Sequence, residues 1–212
     1  MGTVEIEPEP RVAKQLFRDP QMLEQARAFT HNLGVHGEQL GLIGPLELPR
    51  LWTRHVINSA LLAPLLRPGR VGDVGSGAGL PGVVLAIARP DVQMVLIEPM
   101  ERRVLWLQDQ RDELDLQNVE VVRARAEDAP LLHSLDQVTA RAVSALRTLI
   151  PLTARLAKPQ GELLLMKGAG AEREIDAAQK VIQKYGLTDL EVLELGSELE
   201  TEATRVVRAR VR

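Results

Sequence analysis

The chain has 212 residues, with 26 lysines and arginines against 29 aspartates and glutamates, a net charge of −3 at pH 7 and a hydrophobic content of 45%. That length suits one domain with a short extension and a substantial core, and the near-neutral balance excludes a generic polyanion binder, leaving any nucleic-acid recognition to a local patch. Cysteine is absent, so disulfides, thiolate nucleophiles and zinc–thiolate sites are excluded; no apolar run reaches membrane-spanning length, and the acidic, proline-containing Met1–Pro10 is unlike a signal peptide.

Residues 1–11 read as a disordered lead-in and residues 12–67 as a helical cap. The cap pattern predicts helices at Pro20–Leu33 and Leu48–Leu66, joined by a glycine-rich connection through Gly34, Gly37, Gly41 and Gly44-Pro45. From Arg70 strands and helices alternate. Strands are expected at Val71–Val74, Val92–Ile97, Val119–Val122, Gln137–Ala142 and Gly161–Met166. Helices are expected at Leu80–Ala88, Arg102–Leu114, Ala145–Leu156 and Ala171–Tyr185. Leu190–Leu195 and Thr204–Val211 should pair as antiparallel strands. In the second of these, Arg205, Arg208, Arg210 and Arg212 read as the solvated charges of an edge strand. Repeated βα units over residues 68–212 imply an α/β fold: a doubly wound, mostly parallel seven-stranded sheet with its ligands at the strand carboxyl ends. The cap packs on it as one structural unit.

The junction between the first strand and its helix reads Gly72-Asp73-Val74-Gly75-Ser76-Gly77-Ala78-Gly79-Leu80-Pro81-Gly82. Glycines admit close ligand approach and positive φ, and a helix start offers free N–H groups, so this is a nucleotide-binding corner. A Walker loop would need lysine and Ser/Thr after Gly82, where Val83 and Val84 stand. A dinucleotide fingerprint can be spelled from Gly77, Gly79 and Gly82 with Glu98 downstream. Its register is poor, and Pro81 removes an N–H where a pyrophosphate would dock. The remaining pattern, D-x-G-x-G-x-G, is that of S-adenosyl-L-methionine-dependent, class I Rossmann-like methyltransferases. There Asp73 helps the cationic donor indirectly, and a nicotinamide dinucleotide, with an oxidoreductase activity, stays as the alternative.

Strand ends supply the other candidates. Glu98 closes the second strand, where a carboxylate accepts both ribose hydroxyls; the competing reading is a solvated loop glutamate. After the third strand, the Ala126 backbone and Glu127 stand where an adenine is edged. Arg123 and Arg125 beside them either face a phosphate backbone or are surface charges. Arg141 ends the fourth strand, where enzymes that methylate exocyclic amines carry an Asn/Asp-Pro-Pro-aromatic turn. An arginine there points to an acceptor-rich or anionic target, and a target that is already nucleophilic, such as guanine N7, needs positioning rather than a base. Arg54 and His55, with Asn58 and Ser59, lie on the helix before the loop and could project over the pocket, with a structural histidine as the alternative. Lys167 sits on the rim as a phosphate contact or a surface lysine. His31, His36 and His133 show no ligand spacing, and no metal site is expected.

Taken together, D-V-G-S-G-A-G-L-P-G, Arg54-His55-Val56-Ile57-Asn58-Ser59, Arg102-Arg103-Val104 with Asn118, Arg125-Ala126-Glu127, Ala140-Arg141-Ala142 and Met166-Lys167-Gly168 resemble the bacterial glucose-inhibited division protein B family. The likeness runs from about Leu48 to Glu174. It implies a 16S ribosomal RNA 7-methylguanosine methyltransferase that uses S-adenosyl-L-methionine and acts on 16S RNA or the small ribosomal subunit, as a cytoplasmic monomer. By position, the resemblance assigns Gly75, Leu80, Ala126, Glu127 and Arg141 to the donor. Two departures stand out: glutamate at Glu98 where many members have aspartate, and Leu40-Gly41-Leu42-Ile43-Gly44-Pro45 in place of an Asn-Leu-Thr sequence, which is similar to the actinobacterial version. A class I methyltransferase acting on a small molecule is the rival expectation; it predicts an enclosed acceptor pocket with little basic surface.

Overall fold

A computed structural model of the chain describes residues 5–199 and 201–212. Its centre is a seven-stranded sheet in the order β3-β2-β1-β4-β5-β7-β6. The strands are β1 (Gly69–Val74), β2 (Val92–Ile97), β3 (Val119–Val122), β4 (Leu135–Arg141), β5 (Ala157–Lys167), β6 (Leu187–Leu195) and β7 (Thr204–Val211). The first five are parallel, and β7 runs antiparallel to both β5 and β6. Strand order reverses between β1 and β4, whose carboxyl ends lie side by side at Val74 and Arg141. Ligands of open α/β sheets bind at such a switch point.

Alternation along each strand divides the core into two layers. Val71, Met94, Leu96, Leu164 and Met166 face the cap, α4 (Gly82–Ala88) and α5 (Glu101–Glu113). Val74, Val95, Ile97, Leu163 and Leu165 face α6 (Leu146–Ala154) and α7 (Ala171–Lys184). A parallel sheet covered on both sides is apolar on both faces, which is why these strands read as near-continuous hydrophobic runs.

Three expectations are corrected. The lead-in expected over residues 1–11 is docked from residue 5 on, residues 1–4 lying outside the described part. Ile6 packs against the cap, the Glu7 carboxylate accepts from the Thr53 backbone N–H at 2.9 Å, and Glu9 pairs with Arg27 at 2.5 Å. The helix expected over Leu48–Leu66 is a relay of short helical pieces. After α1 (Ala13–Leu16) and α2 (Pro20–His36) come a 3₁₀ turn (Pro45–Arg50), a π-helical segment (Leu51–Ile57), α3 (Asn58–Ala60) and a second 3₁₀ turn (Ala63–Leu65). Pro49 and Pro64 have no N–H to donate, so regular α-helix cannot run through the stretch. The third correction concerns β7, which is an inner strand. Its arginines pair across to the true edge strand β6, Arg205 with Glu194 at 3.3 Å, Arg208 with Glu191 and Arg210 with Asp189 at 3.6 Å.

Candidate active site

The loop after β1 is held from below. Asp73 is fully buried; its Oδ2 accepts the Gly82 N–H at 2.9 Å, while its Oδ1 has no hydrogen-bond partner. Burial pushes the Asp73 carboxyl up to about 7, against the hydrogen bond from the Gly82 N–H that favours the anion; the Ser76 hydroxyl donates instead to the Asp73 backbone carbonyl at 2.9 Å. Glycine at 82 is obligatory, because a Cβ there would stand 2.3 Å from Leu96 Cδ2 and 2.5 Å from Asp73 Oδ2. The loop then turns through Gly75, Gly77 and Gly79, all at positive φ. Three further anchors fix it: the Gly75 N–H donates to Ile97 O, Glu98 Oε2 accepts the Gly77 N–H at 2.9 Å, and the Trp106 indole donates to Ala78 O at 3.0 Å.

Above the loop lies a cavity of about 330 Å³. Gly75, Ser76, Gly77 and Leu80 form its floor, Leu42–Gly44 its cap wall, and Arg103, His55 and Arg141 its polar sides. A second cavity of about 420 Å³ begins on the other side of Arg141-Ala142, bounded by Arg54, Asn58, Lys167 and Glu202 among others. Arg141 and Ala142 line both, so the two hollows meet at the end of β4. A larger cavity of about 560 Å³ lies away from the strand ends, between α1, α2 and the end of α4. Of the polar side chains along it, Gln15, Arg18, Asp19 and Arg89, the last is engaged by Asp91 and by the carbonyls of Ala63 and Leu66. The switch-point location decides between them in favour of the smaller pair.

Arg141 is drawn into the cap. Its Nη1 donates to Ser59 Oγ at 3.0 Å and to His55 O at 3.3 Å; its Nη2 donates to Arg54 O at 2.8 Å and reaches His55 Nδ1 at 3.2 Å. The π-helical turn presents both of these carbonyls to it, and π-bulges recur at functional sites. Burial, with the neighbouring Arg54 charge, lowers Arg141 to about 10, so it stays cationic at neutral pH. His55 is pushed down by burial, against the hydrogen bond from its Nε2 to Glu47 Oε2 at 2.6 Å. A neutral ring protonated on Nε2 satisfies both contacts, donating to Glu47 and accepting from Arg141. Both ring nitrogens are therefore engaged, and His55 acts as a positioning residue for Arg141, not as a free base.

The other expected residues divide. Gly75, Gly77, Leu80 and Arg141 line the cavity over the glycine loop; Asp73 and Gly79 shape it from beneath. Glu98 is buried, which excludes a solvated glutamate; Oε1 accepts the Met100 N–H at 3.0 Å, and each oxygen keeps a second lone pair. Glu98, buried Ala126 and exposed Glu127 stand at the ends of β2 and β3, outside the lining of the cavity. Arg54 and Asn58 do border the second cavity, the latter hydrogen-bonded to Thr204 Oγ1. Lys167 is nearly buried and pairs with Glu174 at 2.8 Å and with Ser144 O at 2.6 Å, which corrects its reading as a surface lysine, and it lines the second cavity. Arg123 is exposed and paired with Glu101 at 2.8 Å; it and Arg125 lie on the turn after β3 and border neither cavity. Ser59, expected over the pocket with its helix neighbours, does reach it as the acceptor for Arg141, whereas sequence reasoning missed Glu47 and Trp106, since nothing local marks residues that reach the site only through the packing of the cap and α5.

The profile of the family described as "GidB: rRNA small subunit methyltransferase G" matches residues 22–210. The chain is 66% identical over 206 residues to a ribosomal RNA small subunit methyltransferase G of Clavibacter michiganensis subsp. michiganensis, covering 97% of each. It is 64% identical to a protein of the same name from Leifsonia xyli subsp. xyli, covering 99% of this chain and all of that one. Among solved structures, M. jannaschii TYW2 in complex with AdoMet matches with a TM-score of 0.61 at 20% identity, over 75% of this chain and 76% of that one. A SAM-dependent methyltransferase from Aquifex aeolicus matches with a TM-score of 0.53 at 20% identity, over 97% of this chain and all of the other. The two structures share the fold; the family match and the relatives go further, and the chain belongs to the rRNA small subunit methyltransferase G family.

Proposed function

We propose that the protein transfers the methyl group of S-adenosyl-L-methionine to N7 of a guanine in 16S ribosomal RNA, acting as a cytoplasmic monomer on the RNA or on the small subunit. The observation that carries this is the meeting of two cavities at Arg141-Ala142, one over the glycine loop and one of about 420 Å³ open to a polar rim. Bound over the loop, the donor would supply an electrophilic methyl group to N7, whose lone pair is available without removal of a proton. The chain's own residues fit such a reaction. Gly75 and Gly77 leave room for the donor's backbone approach, and Glu98 stands beside Gly77 with lone pairs for ribose hydroxyls. Arg141, locked by Arg54, His55 and Ser59, sets the wall along which the two reactants align. The imidazole at the junction is occupied on both nitrogens, which favours an acceptor needing no base. A small-molecule acceptor is less well supported, since exposed Arg54 and Glu202 give the second cavity a charged, open rim.

Primer extension across 16S RNA after cleavage at 7-methylguanosine, with RNA from cells having and lacking the gene, tests the reading. Loss of one stop on deletion is expected, and restoration by the wild-type gene; an unchanged pattern would overturn it.

A further inference from the structure

Two cations line the cavity over the glycine loop, Arg103 and Arg141. Arg141 directs its guanidinium away from the ligand space, to two carbonyls, a hydroxyl and an imidazole of the cap. Arg103 is different. Its Nε is buried and has no hydrogen-bond partner, and among the described residues its guanidinium forms no ion pair. A buried donor of a charged group left without an acceptor is costly, and in native proteins such a group calls for a missing partner. Arg103 is also firmly placed. It lies on α5 one turn before Trp106, whose indole donates to Ala78 O, so this face of the helix is registered against the loop itself. The one carboxylate lining the cavity, Glu47, is already taken up by Arg50 at 2.6 Å and His55 at 2.6 Å.

We propose that Arg103 is the receptor for the α-carboxylate of the methyl donor's amino-acid arm, and so distinguishes the donor from adenosine compounds lacking that carboxylate. The inference rests on the donor assigned above. A carboxylate is the anion whose geometry a guanidinium matches with two parallel hydrogen bonds, and it is the sole anionic group such a donor carries. The sulfonium and ammonium groups of the same arm repel a cation, so the assignment is to the carboxylate alone. An RNA phosphate is the competing acceptor, and the test separates the two.

Isothermal titration of the full chain with S-adenosylhomocysteine and with its decarboxylated analogue reads the subsite without any turnover. Wild-type protein is expected to bind S-adenosylhomocysteine roughly 10- to 100-fold more tightly than the analogue. Arg103→Gln should lose that factor for S-adenosylhomocysteine while its affinity for the analogue stays within about twofold, and Arg103→Lys should keep part of the preference. Equal wild-type affinity for the two compounds overturns the proposal without recourse to any variant. So does an Arg103→Gln protein that binds S-adenosylhomocysteine normally and has lost affinity only for RNA, the outcome expected of a phosphate contact. Failure of wild-type protein to bind either compound would instead sink the donor reading on which the proposal depends.

Discussion

Asp73 shows how a single residue can serve the site without touching a ligand. Its carboxylate is buried, accepts one N–H from Gly82 and leaves Oδ1 without a partner. An acid whose folded pKa is raised, here to about 7 from 3.8, contributes its stability below about pH 4 and loses it as the pH rises through 7. Asp73→Asn keeps an acceptor for Gly82 and removes the buried charge. Urea unfolding should therefore show the variant more stable than wild type at pH 8, by up to about 4 kcal/mol at 1.36 kcal/mol per pKa unit, with the two converging towards pH 4. A constant difference across that range would mean that Asp73 does not titrate there. Arg141 makes the opposite case, a charged group that also holds the fold. Because its donors serve the cap carbonyls, Arg141→Ala should abolish methyl transfer and also lower stability by about 1.5–3 kcal/mol in urea unfolding. Unchanged stability would mean that the cap does not depend on this arginine.

At the scale of elements, the β1–loop–α4 unit owes its tightness to Gly82, and the glycines of the chain are not equivalent. Gly82→Ala would drive a methyl group into Leu96 and Asp73, whereas a Cβ at Gly168 meets nothing within 4 Å. Overpacking of this kind costs about 1–3 kcal/mol, so Gly82→Ala should lower the melting temperature and weaken donor binding, with Gly168→Ala matching wild type in both. Similar behaviour of the two variants would remove the close-packing argument. The same contrast explains what could be read from sequence. β2, β3 and β7 run over Val92–Ile97, Val119–Val122 and Thr204–Val211, the bounds expected from sequence, because valine-rich segments between turn residues mark a strand even where charges interrupt it. The glycine loop and the end of β4 were legible for the same reason, being local spellings. The stretch from Leu48 to Leu66 was not: its hydrophobic period is helical, but prolines and a π-helical turn break it, and that turn is what offers carbonyls to Arg141. Glu47 and Arg103 reach the site only because the cap and α5 fold over the loop, which no window of sequence contains.

For the whole molecule, the question is how a chain of net charge −3 engages a polyanion. Much of its positive charge is neutralised within the fold: Arg27, Arg50, Arg70, Arg89, Arg111, Arg123, Lys158, Lys167 and the arginines of β7 sit in ion pairs. Near the strand carboxyl ends, Arg54 is half exposed, with Glu47 no nearer than 3.8 Å, and Arg102, Arg125, Arg147 and Arg173 are exposed without an ion-pair partner among the described residues. Five scattered cations supply only a limited attraction to bulk RNA, which leaves shape and the polar second cavity to supply the rest. Each single-strand phosphate contact contributes about −0.7 to the slope of log K against log salt, so engagement of all five gives a slope of about −3.5. Fluorescence anisotropy of a short 16S fragment between roughly 50 and 200 mM salt measures that slope. Arg54→Gln should flatten it by about one contact, whereas Arg123→Gln, already satisfied by Glu101, should leave it unchanged. A steep slope, on the order of −5 or beyond, would point to a broad basic surface that this fold does not display, and would move recognition away from the rim around Arg54.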